Sequence, residues 1–338
     1  MTAIRKVIIS EFGNADVVKV IDDTCPAPPA RHVQIATEYS SFNGGDINMR
    51  MGIYPLQRKA PLTPGYCLVG TVRAVGKGCE IIRPGDVVAV LTKYDAQAEL
   101  VNQPEKYCIK VPEGVDHKQA ATLPCDWNVA YGLVMQAAKV TQGQKVFIHG
   151  MSGAVGTGLM TLSRLQGAQV YGTASEHNHE AVRKYGATPF VYTDQAWTGK
   201  MQELGGADVV FDPLGFESFD ESYSILGPRG LLVAYGNNKN SLGNGTVRNP
   251  MLPIVKLLAR NINFSGKRAT FYGIFRDSST YIPNVTALLD MVKAGTITVP
   301  IKSVWDMEDI QTAHRNWGRG TGIGCQLVKI GNDERGLV

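Results

Sequence analysis

Residues 145–158 read KVFIHGMSGAVGTG, and this stretch decides the fold class. An apolar run ends at His149, and a helical pattern that starts near Ala154 follows after three spaced glycines, Gly150, Gly153 and Gly156. The last two match the end of a G-x-G-x-x-G pattern, in which glycine lets the backbone approach a pyrophosphate and lets helix and strand pack closely. We therefore predict a dinucleotide-binding turn at a helix N-terminus, the alternative being a tight turn that binds nothing. Its predicted contact residues are Ser152, Gly153, Ala154, Val155 and Gly156.

Around this turn, the chain alternates strands and helices from about Pro124 to Gly266. The apolar runs include QVYGTA (169–174), DVVFD (208–212), GLLVAYG (230–236) and INFSG (262–266). Uniformly apolar strands that alternate with amphipathic helices are typical of a parallel sheet covered on both faces. We predict a doubly wound α/β domain over residues 124–266.

The flanking segments have a different pattern. Residues 1–123 contain short β-type runs between Gly/Pro turns, such as HVQIATEYSSF (32–42) and CLVGTVRAV (67–75), which predict a β-barrel-like domain. The last 70 or so residues hold a helical run, NVTALLDMVKAG (284–295), and a strand, CQLVKI (325–330). We interpret them as a return to the first domain, which would then comprise residues 1–123 and 267–338.

Composition excludes several classes of protein. Hydrophobic residues make up 44% of the 338 residues and charged residues 19%, which excludes a disordered chain. The net charge of +4, with no basic block, does not indicate binding to nucleic acid or to an anionic membrane. No apolar run reaches the ~18 residues of a membrane span, and the apolar stretch near the first residues is too short for a signal peptide. Six cysteines without a C-x-x-C pair predict a reducing, cytoplasmic setting.

The end of the second predicted strand bears on which dinucleotide binds. An NAD site usually has an acidic residue there, whereas this strand ends at Ala174-Ser175, which leaves room for a 2′-phosphate. Glu176, one or two places later, argues for NADH instead. We predict NADPH, with candidate phosphate donors at Ser175, His177, His179, Arg183 and Lys184. The alternative for the last two is a solvated helix face.

Several segments carry a resemblance to a known family. They are FNGGDINMRMGIYP (42–55), LTPGYCLVGTVRAVGKGCEIIRPGDVVAV (62–90), FIHGMSGAVGTG (147–158), VYGTASEHNHEAVRKYGA (170–187) and DVVFDPLG (208–215). In their order and spacing the chain resembles the medium-chain dehydrogenase/reductase superfamily, in its zinc-independent quinone oxidoreductase branch (zeta-crystallin-like and VAT-1-like proteins). The resemblance implies a GroES-like β-barrel catalytic domain, a six-stranded Rossmann domain, a cleft between them and a homodimer.

The resemblance also implies that no zinc is bound. Zinc-dependent relatives carry Cys at the position of Asn43, His-Glu at Tyr66-Cys67, and Cys at Cys125. A thiol with an amide and a phenol is not a zinc ligand set. We expect Cys125 to be a small residue that lines the cleft. Two lysines common in the family correspond here to Asn178 and Cys325, so the phosphate charge would have to be met by other residues.

Without a metal, a conjugated carbonyl is the easier substrate, because hydride adds at the β-carbon and charge develops on a distant oxygen that hydrogen-bond donors can stabilise. Tyr54, Asn43 and Tyr66 are the candidate catalytic residues. In related enoyl thioester reductases a tyrosine at the motif position of Tyr54 donates the proton. The alternatives are that Tyr54 only shapes the pocket, that Asn43 only holds its loop rather than binding the nicotinamide ribose or substrate, and that Tyr66 fills space. Asp46 is expected to be a loop or domain-packing anchor.

The remaining candidates follow from position in the chain. For the substrate they are Tyr54, Trp127, Tyr131, Phe271 and Tyr272, with core packing as the alternative for Trp127. For the cofactor they are Asn43 and, by family position, Tyr192, Gly236 and Asn237, with an exposed loop residue as the alternative for Tyr192.

These observations predict a zinc-independent, NADPH-dependent reductase of quinones or α,β-unsaturated ketones, with hydride transfer in the interdomain cleft. One alternative is an enoyl reductase that acts on a biosynthetic thioester or polyketide-like intermediate. Another is a non-catalytic NADPH-binding protein.

Overall fold

The computed structural model describes residues 1–243, 247–262 and 265–331 and divides the chain into two compact units. The first unit comprises Met1–Asn128, Phe275–Arg319 and the chain from Cys325 onward. The second comprises Val129–Ile274 and Gly320–Gly324. The domain limits drawn from the sequence, 1–123 with 267–338 and 124–266, stay predictions, and residues 332–338 lie outside the described part.

The strands and helices have the following bounds in chain order. The strands are β1 (Thr2–Ile9), β2 (Val18–Cys25), β3 (His32–Phe42), β4 (Cys67–Val75), β5 (Val87–Leu91), β6 (Leu100–Pro104), β7 (Cys108–Lys110), β8 (Lys145–Ile148), β9 (Gln169–Ala174), β10 (Thr188–Val191), β11 (Ala207–Asp212), β12 (Leu226–Ala234), β13 (Arg268–Phe271), β14 (Ile301–Asp306) and β15 (Cys325–Lys329). The α-helices are α1 (Gly44–Arg50), α2 (His117–Ala120), α3 (Asn128–Gly132), α4 (Ala154–Leu165), α5 (His179–Lys184), α6 (Ala196–Glu203), α7 (Ser218–Ser224), α8 (Lys239–Leu242), α9 (Met251–Ala259), α10 (Tyr281–Lys293) and α11 (Ile310–Arg315).

The first unit is built on a mostly antiparallel sheet. Its strand order is β14-β15-β3-β4-β5-β7, with β6 also paired to β3, and β1 pairs with β2 in a separate ladder. Apolar residues from the strands and from α1 form one core, which includes Val7, Phe42, Ile47, Met49 and Val328. This is the predicted GroES-like β-barrel domain, and strand β15 and helix α10 confirm the two elements predicted near the C-terminus.

The second unit contains a six-stranded parallel sheet in the order β10-β9-β8-β11-β12-β13. Its central strands are buried along their length, as Val146, Phe147 and Ile148 of β8 show, because helices cover both faces. The predicted doubly wound Rossmann sheet is confirmed. Since all six strands run the same way, their carboxyl ends lie along one edge, where ligands bind in this class of sheet.

The sixth strand does not lie where the sequence placed it. The run INFSG was expected to form it, but Ile262 ends a short 3-10 helix and is 78% exposed, and the strand is Arg268–Phe271. Asn263 and Phe264 lie outside the described residues. The chain turns at Gly266, with φ of 77°, and enters the sheet at Arg268.

Among the described residues, no helix is both long and apolar enough to cross a membrane.

Candidate functional site

The glycine turn joins β8 to α4 at the carboxyl edge of the parallel sheet. Gly150 adopts φ of 70°, and Gly153 is the N-cap of α4, where no side chain accepts a capping hydrogen bond from the helix N–H groups. The first backbone N–H groups of a helix have no partner inside the helix, so this uncapped end leaves them available to an anion. Ser152, Ala154 and Val155 are half-buried and Gly153 is exposed.

Gly153 and Gly156, the two glycines that match the dinucleotide-binding pattern, have different surroundings. A side-chain carbon at Gly156 would overlap the carbonyl oxygen of Gly150, and one at Gly172 in β9 would overlap that of Ile148. At Gly153 an added carbon would lie 3.4 Å from the nearest atom, an ordinary contact. Gly156 and Gly172 therefore serve close packing, whereas the space at Gly153 is open. An uncapped helix end beside an open glycine fits the pyrophosphate of a dinucleotide.

The end of β9 has both exposed and buried polar side chains. His177 and Arg183 are exposed, and Ser175 is half-buried. His179 is buried, and its Nε2 lies 3.3 Å from the carbonyl oxygen of Ala174. The His179 ring is thus held against β9, and a contact of this ring with a 2′-phosphate stays a prediction. Tyr192, after β10, is 59% exposed, the arrangement expected for an exposed loop tyrosine.

A C-terminal segment that sequence reasoning did not connect with the turn, Gly320–Gly324, joins the second unit. The Gly322 N–H donates to Asn178 Oδ1 over 3.0 Å, and the Gly324 N–H donates to the Ser152 carbonyl oxygen over 3.0 Å. Asn178 is buried and thus anchors this segment, at the position where the family often carries a lysine. The alternating glycines of G-T-G-I-G were the only sequence signal.

The loops that follow β11 and β12 pack against each other at the same edge. The Asn238 N–H donates to the Pro213 carbonyl oxygen over 2.8 Å, and an added carbon at Gly236 would lie 2.7 Å from that oxygen. Gly236 and Asn237 are half-buried there, so the structure brings them to the edge that also carries the glycine turn.

The predicted substrate residues lie in different environments. Phe271, the last residue of β13, is 41% exposed. Tyr272 follows it, with its hydroxyl so close to Gly132 that a side chain there would overlap it, and burial raises the pKa of Tyr272. Tyr131, in α3, is half-buried. Trp127 is wholly buried in the described structure, as the core-packing alternative expects, and its contact with substrate stays a prediction.

Asn43 holds its own loop. It is the N-cap of α1, where Oδ1 accepts from the Gly45 N–H over 2.8 Å and the Asp46 carboxylate reaches back to the Asn43 N–H over 2.9 Å. Its Nδ2 donates to Ser41 Oγ and Asp126 Oδ1, each over 3.2 Å. Both amide hydrogens are therefore used within the first unit, as the loop-holding alternative expects, and contact of Asn43 with nicotinamide or substrate stays a prediction.

Two buried carboxyl groups lie next to this amide. Burial raises the pKa of Asp46 to about 7 and that of Asp126 to about 6, and the charge of Asp126 adds to the shift at Asp46. Asp46 accepts from the Gly65 N–H and from Gln97, as a loop anchor does. Asp126 had no role in the sequence interpretation, and an acid inside the apolar run LPCDW was its only signal.

Two tyrosines form an aromatic pair in the first unit. The rings of Tyr54 and Tyr66 lie 5.0 Å apart at 58°, with Tyr54 at 36% exposure and Tyr66 buried. Burial raises the pKa of Tyr54 and raises that of Tyr66 well above its ordinary value, so both are protonated at neutral pH. The Tyr66 hydroxyl is buried and no described residue gives it a hydrogen bond of good geometry, although the nearby Tyr54 phenol also raises its pKa.

Gly45 gives the Tyr66 ring its space. A side-chain carbon at Gly45 would lie 2.5 Å from Tyr66 Cε2 and 2.9 Å from Asn43 Oδ1. The capping loop and the tyrosine can therefore share this region only because residue 45 has no side chain.

Cys125 lies beside Asn43 and is a protonated thiol. A hydrogen bond to Cys67 and then burial raise its pKa well above the ordinary value. In the part of the chain that is described, no three His, Cys, Asp or Glu side chains are grouped so as to hold a metal ion. The amide of Asn43, the phenol of Tyr66 and this thiol do not resemble a zinc ligand set.

Two family models match the chain in tandem. The alcohol dehydrogenase GroES-like domain matches residues 29–148, and the zinc-binding dehydrogenase domain matches residues 154–290.

Individual relatives match almost the whole chain. The synaptic vesicle membrane protein VAT-1 homolog of Rattus norvegicus is 29% identical over 98% of this chain and 85% of its own. The quinone oxidoreductase of Homo sapiens is 26% identical, over 96% of this chain and 97% of its own. Among solved structures, a mycobacterial protein complexed with NADPH is 26% identical, with a TM-score of 0.83 over 96% of this chain and 99% of that one.

Proposed function

Because this chain belongs to the medium-chain dehydrogenase/reductase superfamily, in the branch of quinone oxidoreductases and VAT-1 homologues, we propose that it is an NADPH-dependent reductase of quinones or α,β-unsaturated ketones. The observation that carries the proposal is the buried, protonated Tyr66 hydroxyl without a well-formed hydrogen bond, next to the part-exposed Tyr54. A buried donor without an acceptor is costly and calls for a partner. An oxygen that becomes negative during reduction is such a partner.

The cofactor, when bound, supplies the hydride. The uncapped N-terminus of α4 would hold its pyrophosphate beside Gly153, and Gly236 and Asn237 would lie at the same sheet edge. For the 2′-phosphate, the exposed His177 and Arg183 and the half-buried Ser175 are the donors we propose. The NADPH complex of the mycobacterial relative supports this choice of nucleotide.

The two tyrosines would have separate roles. Tyr66 would stabilise the negative charge on the carbonyl oxygen, and Tyr54 would then supply the proton that completes the product. Tyr66 would donate a hydrogen bond to the carbonyl oxygen as charge develops there, because a preorganised donor costs no reorganisation during the reaction. Tyr54, at 36% exposure, can exchange its proton with solvent and is the proposed proton donor. With a phenol instead of a metal as the electrophile, a conjugated acceptor is favoured over an isolated ketone.

A substrate panel tests this function. NADPH oxidation would be followed by absorbance with quinones, enones and an enoyl thioester, with NADH as the control nucleotide. We expect turnover of a quinone or enone with NADPH. Turnover of the thioester alone would favour the enoyl reductase alternative, and binding of NADPH without oxidation by any acceptor would favour a non-catalytic role.

Tyrosine variants test the site. Tyr66→Phe should lower kcat about 100-fold, the usual effect of losing one such donor, and leave the Kd for NADPH unchanged. Tyr54→Phe should also lower kcat, whereas Tyr39→Phe, the same change elsewhere in the first unit, should not. Full turnover by Tyr66→Phe would remove the proposed role.

Gly153→Asp tests the turn. The fold has room for a side chain at Gly153, so this variant should fold normally but lose NADPH binding through charge repulsion with the phosphates. Retained binding would show that the pyrophosphate lies elsewhere.

We also propose a homodimer in a cytoplasmic setting. All six cysteines are free thiols, which supports a reducing compartment. Light scattering during size-exclusion chromatography should give twice the chain mass of 36.6 kDa, and a mass of one chain would reject the dimer.

A further inference from the structure

A chain of hydrogen-bonding groups runs beneath the glycine turn, across the carboxyl ends of three adjacent strands. It joins Gly150 N to Thr173 Oγ1 (3.3 Å), Thr173 Oγ1 to His149 Nδ1 (3.3 Å), His149 Nε2 to Ser222 Oγ (3.0 Å) and Ser222 Oγ to Asp212 Oδ2 (2.7 Å). His149, Thr173, Asp212 and Ser222 are all buried. His149 directly follows β8, Thr173 lies in β9, Asp212 ends β11 and Ser222 lies in α7. This series of hydrogen bonds therefore connects four separate elements of the unit.

The donor and the acceptor of each of these hydrogen bonds can be assigned in turn, starting from Asp212, because an ionised carboxylate can only accept. The Asp212 carboxylate accepts the hydroxyl protons of Ser218 and Ser222. The Ser222 oxygen then accepts from His149 Nε2–H, which leaves Nδ1 free to accept the Thr173 hydroxyl proton. The Thr173 oxygen in turn accepts the Gly150 N–H. Burial lowers the pKa of His149, so the ring stays neutral and keeps this single tautomer.

Gly150 is the residue on which the turn is built. Its carbonyl oxygen accepts the Gly153 N–H over 3.1 Å, and the same oxygen is the one on which Gly156 packs. A shift of Gly150 therefore moves both Gly153 and the first turn of α4. Thr173 holds Gly150 on both sides: its hydroxyl accepts the Gly150 N–H of the His149–Gly150 peptide over 3.3 Å, and its carbonyl oxygen accepts the Met151 N–H of the next peptide over 2.9 Å.

We propose that Thr173 and His149 are positioning residues for the dinucleotide: they hold the Gly150 peptide so that the N-terminus of α4 meets the pyrophosphate. Neither residue touches the cofactor in this arrangement. The inference rests on the proposed function, since it presupposes that the turn binds a nucleotide. It assigns to His149 a task that its position before the glycine turn did not reveal.

Thr173→Val is the direct test, because valine has the shape of threonine but lacks the hydroxyl. The backbone bond from the Met151 N–H to the Thr173 carbonyl oxygen, 2.9 Å, remains, so the sheet should stay intact. Loss of about one net hydrogen bond should raise the Kd for NADPH about 3- to 10-fold. kcat at saturating NADPH should stay within twofold, because the tyrosines are untouched.

Matched variants separate positioning from general stability. Thr161→Val makes the same change on α4, where the hydroxyl donates only to the Thr157 carbonyl oxygen of its own helix, and should not change the Kd. Ser222→Ala breaks the chain farther from the turn and should raise the Kd less than Thr173→Val does. Hydrogen–deuterium exchange without nucleotide should become faster in residues 149–156 of Thr173→Val and not across the whole unit.

The possible results are distinct. An unchanged Kd in Thr173→Val, or a lower melting temperature with exchange faster throughout the unit, would overturn the positioning role, while NADPH binding and oxidation by the wild type would still uphold the proposed function. Wild-type protein that binds neither nicotinamide nucleotide would overturn both.

Discussion

Two buried carboxyl groups, Asp46 and Asp126, make the first unit sensitive to pH. Their pKa values of about 7 and about 6 lie above the ordinary 3.8. Between pH ~4 and those values the folded chain binds more protons than the unfolded chain, so the free energy of unfolding falls as the pH rises. The contribution of each group is fully present below the unfolded pKa and is lost as the pH rises through the folded pKa.

Asp126→Asn should remove one of these titrations. The new amide can still accept from Asn43 and hydrogen-bond to Ser41, the two partners of Asp126. The difference in melting temperature between variant and wild type should therefore increase in favour of the variant from pH 5 to pH 8. Asp290→Asn, a change at an exposed position of α10, is the control and should give a flat difference. A flat difference for Asp126→Asn would show that its carboxyl group titrates normally.

At the scale of the residue, the pair of Tyr54 and Tyr66 shows that a sequence can name candidate residues without showing how they pack. The family resemblance proposed Tyr54, from its motif position, and Tyr66, from its place where zinc-dependent relatives carry a ligand. It did not reveal that their rings pair at 5.0 Å, or that Gly45 makes room for one of them. Ring packing depends on side chains from separate segments, which no local pattern records.

At the scale of elements, two glycines in helices have opposite roles. Gly156 in α4 lies against the Gly150 carbonyl oxygen, whereas an added carbon at Gly199 in α6 would meet nothing within 4 Å. Glycine inside a helix is less favourable than alanine when nothing requires its small size.

Gly199→Ala should therefore stabilise the protein by about 0.5–1 kcal/mol, and Gly156→Ala should destabilise it and disrupt the glycine turn. Chemical denaturation measures the first effect, and NADPH titration of the second variant measures the other. A loss of stability in Gly199→Ala would mean that residue 199 has a packing partner.

At the scale of the whole molecule, the side chains at the positions of the zinc ligands of relatives predict that the activity does not require zinc. Asn43 is committed to Ser41 and Asp126, and the Cys125 thiol is held protonated, so neither is prepared to bind a metal. Dialysis against EDTA should leave NADPH oxidation unchanged, and the dialysed protein should contain well under one zinc per chain. Activity lost with EDTA and restored by zinc would contradict this.

By itself the sequence determined the fold class, the alternation of strands and helices in the second unit, and the position of the glycine turn. These follow from periodicity and turn residues, which are local properties of the chain. The INFSG run shows the limit of that rule, because a β-type run and a true strand look alike until the sheet selects one of them.

Only the tertiary structure decided which distant groups meet. Asn43 and Asp126 are 83 residues apart, and Asn178 and Gly322 are 144 apart, yet each pair is hydrogen-bonded. Such contacts tie Asn43 to Asp126, and Thr173 to Gly150 and His149. The physical reason is that the distance between donor and acceptor in a hydrogen bond can vary by only a few tenths of an ångström, and only the packed chain sets that distance.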